Sequence, residues 1–316
     1  MSPRPTLEII IVNWNSGHLL KDCLRSIGTE DTDKVRIVSV VVVDNASGDD
    51  SLRALESTDA AIPLSLQRNS VNEGFARACN QVGLRSDAQY LLFLNPDAQL
   101  GNHSLAMAID LMEKNERVGI CGAALINDAG QISRSCARFP RAGNFLSMIV
   151  GLDRVAPHRF PGLFMTEWDH RESRVVDHVM GAFFLVRREV FQELAGFDER
   201  FFLYLEDLDF SYRAWKLGWQ SFYLASCRVY HKGGGSSGRI PATALFYVLR
   251  SRLQYSYKHL GWLSATTVLL ATLFVEPFSR LALAAGRRSL RDAGRTTVAM
   301  ARLWGSLVRE GLRRAA

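Results

Sequence analysis

Apolar residues in this chain come in short unbroken runs, each closed by a polar turn. Thr6 to Asn13 is β-branched and apolar and breaks at Trp14-Asn15-Ser16-Gly17. Val35 to Val43 is a second continuous run, closed by Asp44-Asn45-Ala46-Ser47-Gly48. Ile62–Leu66, Tyr90–Leu94, residues 117–126, residues 175–187 and Trp219–Leu224 read as further strands. Between these runs the apolar spacing lengthens to the period of a helix. It predicts helices over 18–27 (Leu19, Leu20, Cys23, Leu24, Ile27), after the second turn (Leu52, Leu55), and over 73–84, 103–113 and 188–195. A last helix opens at Glu206-Asp207-Leu208-Asp209 and runs to Leu217 through Phe210 and Ala214. Residues 135–174 mix proline, arginine and aromatics and read as a variable excursion.

Alternating strands and helices, with strands apolar throughout rather than every second residue, predict an α/β domain. Its mostly parallel sheet is flanked by helices on both faces. Ligands of such sheets bind beyond the carboxyl ends of the strands. Asn13, Asn15, Asp44, Asn45, Arg68, Asn69, Asn95 and Asp97 all fall in that position.

Three pieces carry candidate chemistry. Asn95-Pro96-Asp97 closes the apolar strand 90–94, where an acid can hold a divalent cation against phosphate oxygens; the plain alternative is a Pro-Asp turn. His231 precedes Gly233-Gly234-Gly235-Ser236-Ser237-Gly238 and could complete a metal site, or lie on the surface before a linker. Glu206, Asp207 and Asp209 follow Phe201-Phe202-Leu203-Tyr204-Leu205. Acids suit the first turn of a helix, but an enclosed carboxylate can also act as a general base toward an alcohol. Asp207 is the first choice for that base, Glu206 the second, and Asp209 a brace. Asp44 could accept a base N–H and Asn45 could contact a ribose; Gly74 and Ala76, after Asn72, would let a ligand approach closely, or simply let a helix pack.

Composition narrows the picture. With 47% hydrophobic and 22% charged residues, the chain is globular rather than disordered. Its five cysteines are scattered and include no CxxC pair, which argues against a zinc ribbon or a disulfide framework and fits a reducing compartment. The N-terminus shows no signal-peptide pattern. No GxGxxG follows the first strand, which disfavours a nucleotide-dependent dehydrogenase. The net charge of +6 is local: residues 280–316 hold nine arginines against Asp292 and Glu310, a net +7, leaving −1 for residues 1–279. A nucleic-acid footprint across the domain is therefore not expected. Residues 260–275 are uncharged but short of the ~20 apolar residues a bilayer span needs. A basic, helical C-terminal region lying on an anionic membrane surface is expected instead.

Ile11-Val12-Asn13-Trp14-Asn15, Val43-Asp44-Asn45-Ala46-Ser47, Asn72-Glu73-Gly74-Phe75-Ala76, Asn95-Pro96-Asp97, Gly181-Ala182-Phe183-Phe184, Gly196-Phe197-Asp198-Glu199, Glu206-Asp207-Leu208-Asp209 and His231 occur in an order and spacing that is specific as a set. Over residues 6–238 the chain resembles the inverting family 2 glycosyltransferases of GT-A fold, rhamnosyltransferase-like members above all. The resemblance implies a Rossmann-like GT-A domain (1–238) followed by a helical, membrane-associated region (239–316). It implies a nucleotide-sugar donor, dTDP-rhamnose first and a UDP-sugar as the alternative, and Mg2+ or Mn2+. The nucleotide-sugar cradle would comprise Asn13, Asn15, Asp44, Asn45, Arg68, Asn72, Gly74 and Asn95. Asp97 and His231 would be the metal ligands and Asp207 or Glu206 the base, with Asn95 replacing an acid at the metal motif. The acceptor would be a glycan or polyprenyl-linked sugar in cell-surface polysaccharide synthesis. The enzyme would sit in the cytoplasm, peripheral to the inner face of the cell membrane. A non-catalytic, membrane-bound glycan-binding module is the competing expectation.

Overall fold

A computed structural model describes residues 4–30, 33–56, 63–233 and 240–315. Its strands are β1 (Thr6–Asn13), β2 (Arg36–Asp44), β3 (Leu64–Arg68), β4 (Tyr90–Leu94), β5 (Ala98–Leu100), β6 (Val118–Ile126), β7 (Cys136–Ala137), β8 (Arg174–Val176), β9 (His178–Val179), β10 (Phe183–Arg187) and β11 (Gln220–His231). The main sheet has nine strands in the order β3-β2-β1-β4-β10-β6-β11-β5, with β8 also paired to β11. β1, β2, β3, β4, β6 and β11 run one way; β5, β8 and β10 run against them. β7 and β9 form a small second sheet.

The unbroken apolar runs have a direct cause. Along β1, Leu7, Ile9 and Ile11 enter one core with Leu20, Cys23, Leu24 and Ile27 of the helix Leu19–Gly28. Ile10 and Val12 enter the opposite core with Ala76, Ala78, Cys79 and Val82 of the helix Phe75–Gly83. From Ile9 to Val12 both faces are covered, so neither parity is polar there.

The structure departs from the pattern at three places. Residues 175–187 are not one strand: β8 joins the main sheet through β11, β9 crosses to β7, and β10 returns between β4 and β6. β11 extends past Leu224 to His231, with an irregular register between Leu224 and Arg228. β5 forms where only a turn and helix were expected, because it pairs with the far end of β11.

The chain divides into two compact units. One comprises Met1–Phe139, Phe164–Phe202 and Glu206–Ser236; the other comprises Pro140–Leu163, Leu203–Leu205 and Ser237–Ala316. The second is helical: Ala142–Val150, Leu152–Val155, Pro241–His259, Trp262–Phe274, Glu276–Gly286 and Leu290–Ala315. Pro241 and Pro277 sit in the first turns of their helices, where a missing N–H costs nothing. Arg252, 5% exposed, donates to Thr272 Oγ1 at 2.9 Å and pairs with Glu276, which also takes Arg280 at 2.8 Å. Among the described residues no single helix is long and apolar enough to cross a membrane. Trp262–Phe274 and Glu276–Gly286 together meet the length and composition, bent by 41° at their junction.

Candidate functional site

Asp97 ends the turn before β5, and Ala98 pairs with His231 in the antiparallel β5–β11 ladder. That register brings the two side chains together: His231 Nε2 lies 3.3 Å from Asp97 Oδ1 and 3.5 Å from Asn95 Nδ2. Sheet pairing thus unites Asn95, Asp97 and His231 from distant parts of the sequence. Among the described residues no group of three His, Cys, Asp or Glu side chains forms a complete metal cage. One carboxylate, one imidazole and one carboxamide are nonetheless a fitting partial set for a hard divalent ion that takes its remaining ligands from phosphate and water. The glycine-rich stretch after His231 lies, from Gly234 on, outside the described residues.

The acidic cluster opens the helix Glu206–Lys216. Tyr204 (φ 70°) and Leu205 (φ 65°) precede it, both in the left-handed region that side chains avoid. The three acids then take different roles. Asp209 is fully buried and takes Arg213 Nε at 2.8 Å, while Arg213 also donates to the carbonyls of Leu194 and Gly196. Asp209 is the brace. Glu206 is 6% exposed, and its Oε2 has no hydrogen-bond partner. Burial, with the like charges of Asp207 and Asp209, pushes its carboxyl well above the ordinary glutamate range. Asp207, with 16% of its side chain exposed, is held differently. Its Oδ2 accepts from the Gly181 amide and its Oδ1 from the Leu208 amide, both at 2.8 Å, and His178 Nε2 lies 3.5 Å from Oδ2. Burial raises this carboxyl, but the His178 imidazole and the two amides outweigh it, and the net direction is down. Of the adjacent pair, Asp207 is the one kept ionised.

The two clusters are neighbours across a two-residue bridge. Gly181 donates to Asp207, and the Ala182 carbonyl accepts from the Asn95 amide at 3.1 Å. Gly181 has no room for a side chain, since a Cβ there would stand 2.9 Å from Asp207 Oδ2. Sequence reasoning missed His178 and its partner Ser211 altogether. The available signal was an ionisable residue three positions before Gly181, in a stretch read as plain strand.

The expected nucleotide cradle is brought together at the ends of β1, β2 and β3, with its members in unequal positions. Asn13 is buried; its Nδ2 lies 2.9 Å from Asp44 Oδ1 and from Ser51 Oγ, and its Oδ1 accepts from Ser16. Asn45 donates to the Gly74 carbonyl and accepts from Asn69. Asn13, Asp44 and Asn45 therefore hold the strand-end loops to one another. Asn15 accepts from the Gly48 amide, Asn72 accepts from the Gly74 amide, and Arg68 stands exposed at the end of β3. Gly74 corrects the expectation of close ligand approach. Its φ is +84°, and a Cβ would lie 2.5 Å from the Phe202 carbonyl oxygen, which accepts the Phe75 amide at 2.8 Å. The missing side chain makes room for protein backbone.

A mostly parallel sheet in this strand order, covered by helices, is the architecture of a GT-A glycosyltransferase. Residues 8–195 match the model of glycosyl transferase family 2, and the chain belongs to that family. It is similar to the N-acetylglucosaminyl-diphospho-decaprenol L-rhamnosyltransferase of Mycobacterium tuberculosis strain H37Rv, 30% identical over 278 residues, 81% of this chain and 86% of that one. It is also similar to the rhamnosyltransferase WbbL of Escherichia coli K12, 26% identical over 54% of this chain and 62% of the relative. In fold it resembles the mannosyltransferase PcManGT of Pyrobaculum calidifontis, solved with GDP-Man and Mn2+. The TM-score is 0.56 at 19% identity, over 99% of this chain and 81% of that one.

Proposed function

We propose that this glycosyltransferase moves rhamnose from dTDP-rhamnose to a hydroxyl of a lipid-linked sugar, with inversion at the anomeric carbon. The observation that carries the mechanism is Asp207: an ionised carboxylate, anchored by two backbone amides, one bridge away from the Asn95–Asp97–His231 cluster. The acceptor O–H gives its proton to Asp207 as its oxygen bonds the anomeric carbon. The bond from that carbon to the diphosphate breaks, and its electron pair leaves with the nucleotide. A single displacement needs no protein nucleophile. Oδ2 already accepts from Gly181 and faces His178, whereas Oδ1 accepts only the Leu208 amide among the contacts described above, so Oδ1 is the oxygen assigned to the acceptor. Asp97 and His231, with Asn95 beside them, would hold Mg2+ or Mn2+. When bound, such an ion supplies positive charge to the departing diphosphate.

The choice of rhamnose and of a lipid-linked acceptor rests on the two rhamnosyltransferase relatives, one of them named for a decaprenol-linked sugar. Placement at a membrane rests on the helical unit, where Trp262, Leu263 and Phe278 are 69%, 73% and 72% exposed and Arg287, Arg288, Arg291 and Arg295 are also exposed. The five free, buried cysteines agree with a reducing, cytoplasmic side.

The test is sugar transfer from dTDP-rhamnose and from UDP-sugars to a polyprenyl-diphosphate sugar, with Asp207→Asn and Asp97→Ala compared against the parent. Asp207→Asn is expected to lower kcat by at least about 10²-fold, and Asp97→Ala to abolish the response to added Mn2+. Full turnover by Asp207→Asn sinks the assignment of the base. Transfer from a UDP-sugar alone keeps the mechanism and replaces the donor.

A further inference from the structure

We infer that His178 is a positioning residue for the reaction, holding Asp207 Oδ2 so that Oδ1 faces the acceptor hydroxyl, with Ser211 fixing the imidazole in turn. This rests on the reading of Asp207 as the base.

His178 belongs to β9, whose pairing with β7 sets Ala137 opposite it. The side chain is 7% exposed and too enclosed to meet a substrate. Its Nδ1 lies 2.9 Å from Ser211 Oγ, and its Nε2 lies 3.5 Å from Asp207 Oδ2. Ser211 stands one helical turn after Asp207, is fully buried, and has the Asp207 carbonyl oxygen 3.0 Å from its Oγ.

Proton counting makes the arrangement directional. Ser211 has one hydroxyl proton and two neighbours that accept it, His178 Nδ1 and the Asp207 carbonyl. If the proton goes to Nδ1, the imidazole keeps its own proton on Nε2. If it goes to the carbonyl, Nδ1 must donate to Oγ, and an Nε2 without a proton would turn a lone pair on the carboxylate. Nε2 therefore presents an N–H to Asp207 Oδ2 in the first arrangement, and in the second only when the ring carries both protons. Oδ2 is then held from two sides, by Gly181 and His178.

Other ionisable groups surround the pair. Glu206 and Asp209 share its helix, and Arg213 is paired with Asp209. Cys136 lies on β7, and Cys79 lies near Glu206. None of them is substituted in the His178 or Ser211 variants, so a difference between variants reports the imidazole.

The experiment is the pH dependence of kcat for the full chain with His178→Phe, His178→Gln and Ser211→Ala. Loss of the N–H raises the pH at which Asp207 protonates. The acidic limb of His178→Phe is expected to move up by about one pH unit, with the donor KM within about twofold of the parent. His178→Gln restores a donor and returns the limb part of the way; Ser211→Ala moves it less, in the same direction. A lower kcat with the limb unmoved in both His178→Phe and Ser211→Ala overturns the inference and leaves only a packing role. If His178→Phe fails to fold by circular dichroism, Ser211→Ala decides alone, since it deletes one oxygen atom and leaves the ring. Asp207→Asn separates the two ideas: turnover by that variant removes the base itself, whereas an inactive Asp207→Asn beside unmoved limbs removes only the role of His178.

Discussion

At the scale of single residues, adjacent acids do different work because their oxygens find different partners. Asp207 has a backbone amide on each oxygen and an imidazole beside one; Glu206 has an oxygen with none. Glu206 therefore carries a cost that grows with pH. Its folded value lies above the unfolded one, so its contribution to stability is complete below the ordinary value of 4.5 and is lost as pH rises through the folded value. Glu206→Gln removes that loss. The urea midpoint of Glu206→Gln minus that of the parent is expected to be small near pH 5 and to increase toward pH 8. A difference that is flat or shrinks with pH would mean the carboxyl is ionised and compensated. Gly181 makes a second residue-scale case. A methyl group there would press on Asp207 Oδ2 at 2.9 Å, so Gly181→Ala should displace the carboxylate by a fraction of an ångström. Misplacement of a reacting group costs up to about 10²-fold. Gly181→Ala is expected to lose that much kcat while thermal melting shows it still folded and binding the donor nucleotide.

At the scale of elements, the sequence was readable wherever an element's burial is set by its own neighbours in the chain. β1 emerges with the predicted ends because both its faces are apolar and a polar turn closes it. The helix Glu206–Lys216 was equally legible through Phe210 and Ala214. β5 was not, since three residues carry no period and its existence depends on β11. That one ladder is also what joins Asp97 to His231, so residue type marked each as a candidate ligand but could not show that the two meet. The division of 175–187 into three strands was hidden for the same reason: each piece pairs with a different partner, and a continuous apolar run looks alike in all of them. The helix Glu206–Lys216 has its own anchor in the buried Asp209–Arg213 pair, which ties it to the turn at Leu194–Gly196. Removing one member of a buried pair strands the other. Asp209→Ala is expected to cost about 3 kcal/mol in urea unfolding, at the low end of such losses because Arg213 keeps two carbonyl acceptors. A cost below about 0.5 kcal/mol would show the pair to be solvated.

At the scale of the whole molecule, net positive charge and apolar exposure are concentrated in the helical unit, while the sheet-bearing unit carries the candidate chemistry. The sequence displayed the concentration of arginine plainly. Glu276-Pro277 marked the end of the uncharged run, but not the 41° bend between the helices on either side of Val275. Nothing in the sequence showed that Glu276, apparently a charge interrupting that run, is buried against Arg252 and Arg280 and exposes almost nothing. With Glu276 internally neutralised, the surface of Trp262–Phe274 and Glu276–Gly286 is more apolar than its composition implies, with Trp262, Leu263, Phe274 and Phe278 outermost. Exposed apolar area on this scale, beside arginines, suits the boundary between headgroups and acyl chains. Burying one large apolar side chain is worth about 1.5–3 kcal/mol, so two lost together should weaken partitioning by at least about 10²-fold. Trp262→Glu with Phe278→Glu is thus expected to abolish co-sedimentation with vesicles containing anionic lipid, while transfer to a water-soluble acceptor analogue continues at the parent's rate. Binding by the parent that falls with added salt, and residual binding by the double variant that falls in the same way, would assign the remainder to the arginines. Undiminished sedimentation of the double variant would mean that these side chains face something other than lipid.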